Sequence, residues 1–403
     1  MSGGGRRKQS STWHHARMRH FAFLEQEDRD RLFHRAPEPF TVDDEPERLG
    51  VALGATLYCP ATRPRLAHDI ARRAAQGVVT VVVCLEDSVP DAELVAAERN
   101  AVRQLRELAA SKAPAPLVFV RVRAAEQIPM LVDGLGPDVG LLTGFVVPKF
   151  SEESGPAYLD EVAAASDRIG RRLLVMPVLE SVDIGYVETR ISSLLAARRL
   201  IDKYRDHVPA VRIGATDLSG AYGLRRGRDF TVWDVRVVAD VISAVMNVFG
   251  RAGGGGYVVA GPVWEYYSAQ ERMFKPQLRE SPFVAHEERA LRTRLIAADL
   301  DGLIREVVLD RANGLIGKTV IHPTHVAAVH ALSVVAYEEY ADACDVLATN
   351  AAGGAAASSF GNKMNESKPH TAWARRTMLR ADAFGVARDG VSFVDLLGAG
   401  LLQ

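Results

Sequence analysis

From about residue 50 the hydrophobic and polar positions settle into a repeat: short apolar runs rich in Val, Ile and Leu, then longer stretches whose apolar residues recur every three or four positions. A continuous apolar run of about four to eight residues suits a strand covered on both faces, whereas the wider spacing suits a helix packed by one stripe. The runs fall at 51–58, 78–86, 116–122, 144–149, 173–180, 211–217, 257–262 and 318–323. Helical periodicity is clearest at 65–76, 91–110 and 234–249. Alternating β and α units predict a parallel sheet. Eight of them predict an α/β protein of the closed TIM (β/α)8 barrel type rather than an open sheet.

Four segments depart from the repeat. Residues 1–12 are polar and Gly-rich and read as a disordered tail, while 13–48 predict an N-terminal helical extension covering the N-terminal end of the barrel. The barrel itself is expected over 49–347, followed by a linker and a C-terminal helical lid over 348–403, where small residues give way to a helical pattern. Between the seventh strand and its helix, 264–283 exceeds the usual two to six residues of such a connection, which makes it a candidate substrate-specificity loop.

Charge narrows the partner. Lys plus Arg number 49 against 50 Asp plus Glu, a net charge of −1, so no global field favours nucleic acid or an anionic membrane. A small molecule fits better. The three cysteines form no C-x-x-C pair, which argues against a disulfide framework and for a reducing, cytoplasmic setting. No apolar run reaches the roughly 18 residues of a spanning helix.

Glu180 and Asp217 stand where apolar runs end and polar turns begin, about one strand-plus-helix unit apart if some 250 residues are shared among eight repeats. Adjacent strands would bring both acids to one rim, and Mg²⁺ characteristically takes one or two carboxylates and leaves its other positions to water and substrate. The pair reads as a metal site. The alternatives are a first-turn acid for Glu180 and a turn residue for Asp217. Glu86 and Asp87 end the second run and are placed to orient metal-bound water, or to cap a helix. Arg121 ends the third run beside Arg123, and alternation sends both to one face. Arg121 is the candidate for binding an anionic substrate oxygen and stabilising an enolate, with a structural bridge to Glu86 or Asp87 as the alternative. Lys149, ending the fourth run, is a second substrate-binding candidate or a solvated rim lysine. His14, His15 and His20 lie in a basic, tail-like segment with no acidic partner, a weak basis for metal binding.

The strings LGATLYCPATRP, VCLEDSV, VFVRV, VVPKF, VMPVLES, IGATD and IGKTVIHP occur in the order seen in the citrate lyase beta subunit and related HpcH/HpaI-type carbon–carbon lyases, which the chain resembles over roughly residues 50–340. It is closer still to the citrate-lyase-like lyases associated with tellurite-resistance gene clusters, through its HF-x-x-L segment and GNKMNE tail. The resemblance places the family's Mg²⁺ ligands on Glu180 and Asp217, its substrate-binding arginine on Arg121 and its acidic second-strand motif on Glu86 and Asp87. Cys84 stands where the family commonly has an aspartate. In the tail, Lys363-Met364-Asn365-Glu366 replaces a G-K-M-x-D segment that reaches a neighbouring subunit. Glu366 is thereby a general acid or base candidate, against the alternative of a charged residue in a linker. A homo-oligomer, trimer or larger, is also implied.

Together these readings predict a Mg²⁺- or Mn²⁺-dependent lyase that breaks or forms a carbon–carbon bond in a hydroxy acid or its CoA thioester. The competing expectations are a keto-acid aldolase or synthase without CoA, and a non-catalytic metabolite-binding scaffold.

Overall fold

The computed structural model describes residues 17–111, 113–253, 255–267, 300–349 and 354–401. The strands β1 (Ala55–Pro60), β2 (Thr80–Cys84), β3 (Leu117–Arg121), β4 (Leu142–Val147), β5 (Leu174–Leu179), β6 (Ala210–Ile213), β7 (Val258–Trp264) and β8 (Lys318–Val320) close in chain order into a barrel. Closure comes from parallel pairing of β8 with β1, Ala55 opposite Lys318 and Thr56 opposite Thr319. Every residue of β2, β4 and β5 is buried, which is why these segments are continuous apolar runs: one face packs the interior and the other meets helices.

Two boundaries differ from the sequence reading. The first run begins as helix, Pro46–Ala52, because Pro46 presets the first helical turn, and β1 starts only after Gly54, whose φ of 57° turns the chain. A Cβ at Gly54 would lie 2.9 Å from His330 Nε2, so the turn also requires the missing side chain. The sixth run stops at Ile213, and Ala215–Gly220 is helical, so Asp217 sits in a first helical turn rather than at a strand end.

The two ends of the chain meet. Helix Gln26–Leu32 leads into a short strand, Phe33–Arg35, that pairs antiparallel with Val386–Ala387. His20, expected in a tail-like segment, is instead buried, with Nε2 2.8 Å from the Ala52 carbonyl and its ring against Phe384 and His330. Burial pushes its pKa down to about 4, so it is neutral at physiological pH.

The C-terminal helix Ser367–Phe384 packs on helix Tyr337–Thr349 and on Pro46–Ala52. Arg376 donates to the Gly250 carbonyl in the loop entering β7, which sets this helix across the N-terminal rim of the barrel. At the same end Lys318 is fully buried between Asp310 (2.7 Å) and Glu306 (2.8 Å). The 1–12 tail, His14, His15 and most of the 264–283 loop lie outside the described residues. No helix among the described residues is long and apolar enough to cross a membrane.

Candidate active site

The C-terminal ends of five consecutive strands bring charged residues to one mouth of the barrel. Glu86 and Asp87 follow β2, Arg121 ends β3, Lys149 follows β4, Glu180 follows β5, and Asp217 lies in the helix after β6. A cavity of about 700 Å³ opens there, bordered by Asp87, Arg121, Glu180 and Asp217.

Arg121 is the hub. Its Nη2 lies 2.9 Å from Glu86 Oε2, 3.1 Å from Glu180 Oε1 and 3.3 Å from Asp87 Oδ2, with the side chain only 12% exposed. Burial disfavours its charge, but Glu180, Tyr58 and Glu86 outweigh that and hold its pKa above the ordinary arginine value. Its Nε is buried and unpartnered, a donor left for a ligand. Arg121 thus bridges the acids and also lines the cavity.

Lys149 supplies a second bridge. Its Nζ lies 2.9 Å from Glu86 Oε1, 3.9 Å from Asp87 and 4.0 Å from Asp217. The residue adopts a left-handed backbone with φ 46°, which costs a side-chain-bearing residue about 1–2 kcal/mol. In that conformation its backbone N–H donates to Glu180 Oε1 at 3.0 Å while its ammonium reaches Glu86. One strained residue thus orients two acids.

The acids are driven apart in protonation. Burial opposes ionisation of Glu86, yet hydrogen bonding with the Asp87 side chain, the charge of Arg121 and the Lys149 bond hold its pKa down at about 2. Asp87 is pushed up to about 6 by burial and then by Glu86 itself. Glu180 is pushed up to about 7, first by burial and then by the charge of Asp217, against the pull of Arg121. A buried carboxyl raised in part by a neighbouring carboxylate is what a divalent cation relieves. Gly214 fits the same purpose: a Cβ there would stand 1.8 Å from Glu180 Oε2, so only glycine leaves room for this carboxylate. An all-oxygen donor pair, half-exposed at Asp217 and buried at Glu180, suits Mg²⁺ or Mn²⁺.

Other candidates fall elsewhere. β3 ends at Arg121, so Arg123 does not share its face as alternation predicts. Arg123 instead pairs with Asp91 and donates to the carbonyls of Glu86 and Val89, bracing the loop that carries the acids. Within one chain Glu366 is not brought to the cluster. It ends a hairpin, Ala355–Ala357 with Met364–Glu366, whose Lys363 and Asn365 bind Asp342. Cys84 is buried and pairs in register with Arg121. Among the cavity residues that escaped the sequence reading are Tyr58, Arg212 and Glu265. Glu265 is an acid three residues past the seventh apolar run, and Arg212 is a charge inside the sixth, so both carried a visible signal.

A closed parallel barrel with its acids and arginine gathered at the C-terminal mouth defines an enzyme of the TIM-barrel class. The chain belongs to the carbon–carbon bond lyase family of the TIM-barrel fold, whose model matches residues 47–386. It is therefore an enzyme of the lyase kind. Among curated proteins, none matches the sequence. A citrate lyase from Burkholderia xenovorans shares the fold at 13% identity and a TM-score of 0.57, over 86% of this chain and 96% of that one. CitE from Mycobacterium tuberculosis, solved with magnesium, acetoacetate and coenzyme A, is 22% identical over 82% of this chain and 99% of that one, with a TM-score of 0.49.

Proposed function

We propose that this protein is a Mg²⁺-dependent carbon–carbon lyase that cleaves, or in reverse forms, a small hydroxy acid or hydroxyacyl thioester through an enolate. The observation that carries the reading is the convergence of Glu180, Asp217 and Arg121 on one cavity, with Glu180 buried and its pKa raised beside a second carboxylate. Bound between Glu180 and Asp217, Mg²⁺, or Mn²⁺ in its place, supplies Lewis-acid polarisation of a substrate oxygen.

The side chains account for the remaining steps. The substrate hydroxyl gives its proton to Asp87, whose carboxyl at about 6 is matched to accepting and returning a proton near neutral pH. The hydroxyl-bearing carbon becomes a carbonyl as the carbon–carbon bond breaks, and the bonding electrons pass into the enolate of the other product. Arg121 holds fixed positive charge and a free Nε–H where that enolate oxygen develops. Glu86, kept ionised by Arg121 and Lys149, anchors the two cations so that neither swings away. Lys149 adds positive charge at the rim for a substrate carboxylate. Protonation of the enolate by Glu366 from a neighbouring subunit, or by water, completes the cycle.

Replacing Glu180 by Gln tests this directly. Turnover should fall roughly a hundredfold or more, whereas a scaffold would keep its partner binding, and unchanged turnover at saturating Mg²⁺ would overturn the reading. Thermal shift with Mg²⁺ plus CoA or acetyl-CoA, against pyruvate, oxaloacetate and glyoxylate, separates the substrates, because a native-state ligand raises apparent stability by mass action. Stabilisation by keto acids alone would replace the thioester with an aldolase or synthase reaction.

A further inference from the structure

Arg212 is buried to 1% exposure in the middle of β6, inside the barrel. Its Nη1 donates to Thr56 Oγ1 at 3.2 Å and lies 3.7 Å from Met176 Sδ, its Nη2 donates to Thr319 Oγ1 at 2.6 Å, and its Nε has no partner. The guanidinium carbon stands 5.7 Å from the centre of the Tyr58 ring. Neutral hydroxyls, a thioether and a ring surround it, and among the described residues no carboxylate pairs with it. That is costly, because a buried charge normally demands an opposite one. Burial pushes its pKa below the ordinary arginine value, and the charge of Arg121 acts in the same direction.

The cavity supplies the missing context. Arg212, Tyr58 and Thr319 line the same space as Glu180 and Asp217. Arg212 is paired in register with Val178, and Glu180 is two residues beyond Val178. Arg212 therefore springs from the inward layer directly below Glu180, about 6.6 Å down the strand. Arg121 and Lys149 are paired with the acids at the mouth, and Glu265 lies within 3.8 Å of Arg226. Arg212, by contrast, has no carboxylate against it among the described residues.

We infer that Arg212, with Thr56, Thr319 and Tyr58, forms an anion subsite on the barrel floor that takes the distal carboxylate of a short dicarboxylic hydroxy acid, whose other end chelates at Glu180 and Asp217. The inference rests on the metal-lyase reading for that second end only. The planar guanidinium offers its unpartnered Nε–H beside an Nη, the arrangement that binds carboxylate with two bonds. The threonine hydroxyls, now accepting from Arg212, hold it in place without neutralising it.

Calorimetric titration with malate and with lactate, each with and without Mg²⁺, tests the subsite. The two acids share the 2-hydroxy carboxylate and differ in the distal carboxylate. The wild-type protein should bind malate at least tenfold more tightly than lactate. Arg212→Met should erase that preference and leave Mg²⁺-dependent lactate binding intact, while Arg212→Lys should retain part of it. Equal Mg²⁺-dependent binding of the two acids by the wild-type protein would overturn the subsite alone, and needs no variant to fold. Malate preference that requires Arg212 but not Mg²⁺ would support the subsite and sink the metal reading. Binding of neither acid would overturn both.

Discussion

Glu180 concentrates the chemistry of the site in one protonation equilibrium. Its carboxyl is pushed up to about 7, chiefly by burial and then by Asp217. A carboxyl raised above its unfolded value favours the folded state while it is protonated. That contribution is fully present below about 4.5 and is lost as pH rises through about 7. A divalent cation requires the ionised form, so the proton and the cation compete. Mg²⁺ affinity should weaken roughly tenfold for each pH unit below about 7 and level off above it. The melting-temperature increment from a fixed Mg²⁺ concentration, measured at pH 6 and pH 8, checks this, and an increment no larger at pH 8 would contradict it. Comparing increments cancels the opposing effect of neutral buried histidines such as His20, which favour folding above about pH 6.5 and cease to do so as pH falls toward 4.

At the scale of elements, the barrel separates a reactive end from a supporting one. Lys318 opens β8 at the N-terminal rim and bridges Asp310 and Glu306; Glu306 also pairs with Arg226, whereas Lys318 is the one cation against Asp310 among the described residues. Lys318→Met should leave Asp310 with no cation and destabilise the fold by about 3–5 kcal/mol, read as a lowered urea midpoint with Mg²⁺ affinity unchanged. A loss below about 1 kcal/mol would contradict a structural role. The eight strands were legible because burial on both faces writes an unbroken apolar run, and Glu86, Asp87, Arg121, Lys149, Glu180 and Asp217 were legible as charges closing those runs. The start of β1 was not, since Pro46 and Gly54 divide one apolar segment between helix and strand. Nor was the aim of Arg123, which depends on β3 ending one residue after Val120. Arg212 was written in the sequence as a charge within an apolar run, but its lack of a counter-ion is a fact of three strands meeting in space.

At the scale of the whole molecule, the position of Glu366 decides what assembly must do. Its hairpin is fastened to helix Tyr337–Thr349, away from its own chain's acids, so any catalytic role falls on a neighbouring subunit. Val187, Ile191 and Leu195 are exposed at four-residue intervals along one helix, next to exposed Tyr186, whose ring lies 6.1 Å from that of exposed Tyr222. Such a stripe is a candidate contact surface between subunits. The trimer or larger assembly that the family resemblance implies predicts a matching sedimenting species, reduced by Ile191→Asp if this stripe forms the contact, whereas a wild-type monomer would contradict the assembly. Mixed oligomers of Glu180→Gln and Glu366→Gln subunits should recover part of the activity that each lacks alone if Glu366 acts across the interface. The central claim, a cation held by Glu180 and Asp217, is tested most directly by calorimetric titration of Mg²⁺ into the wild-type protein and the Glu180→Gln variant at pH 8. One site per chain, lost in the variant, is the predicted result; equal binding by the two proteins would contradict it.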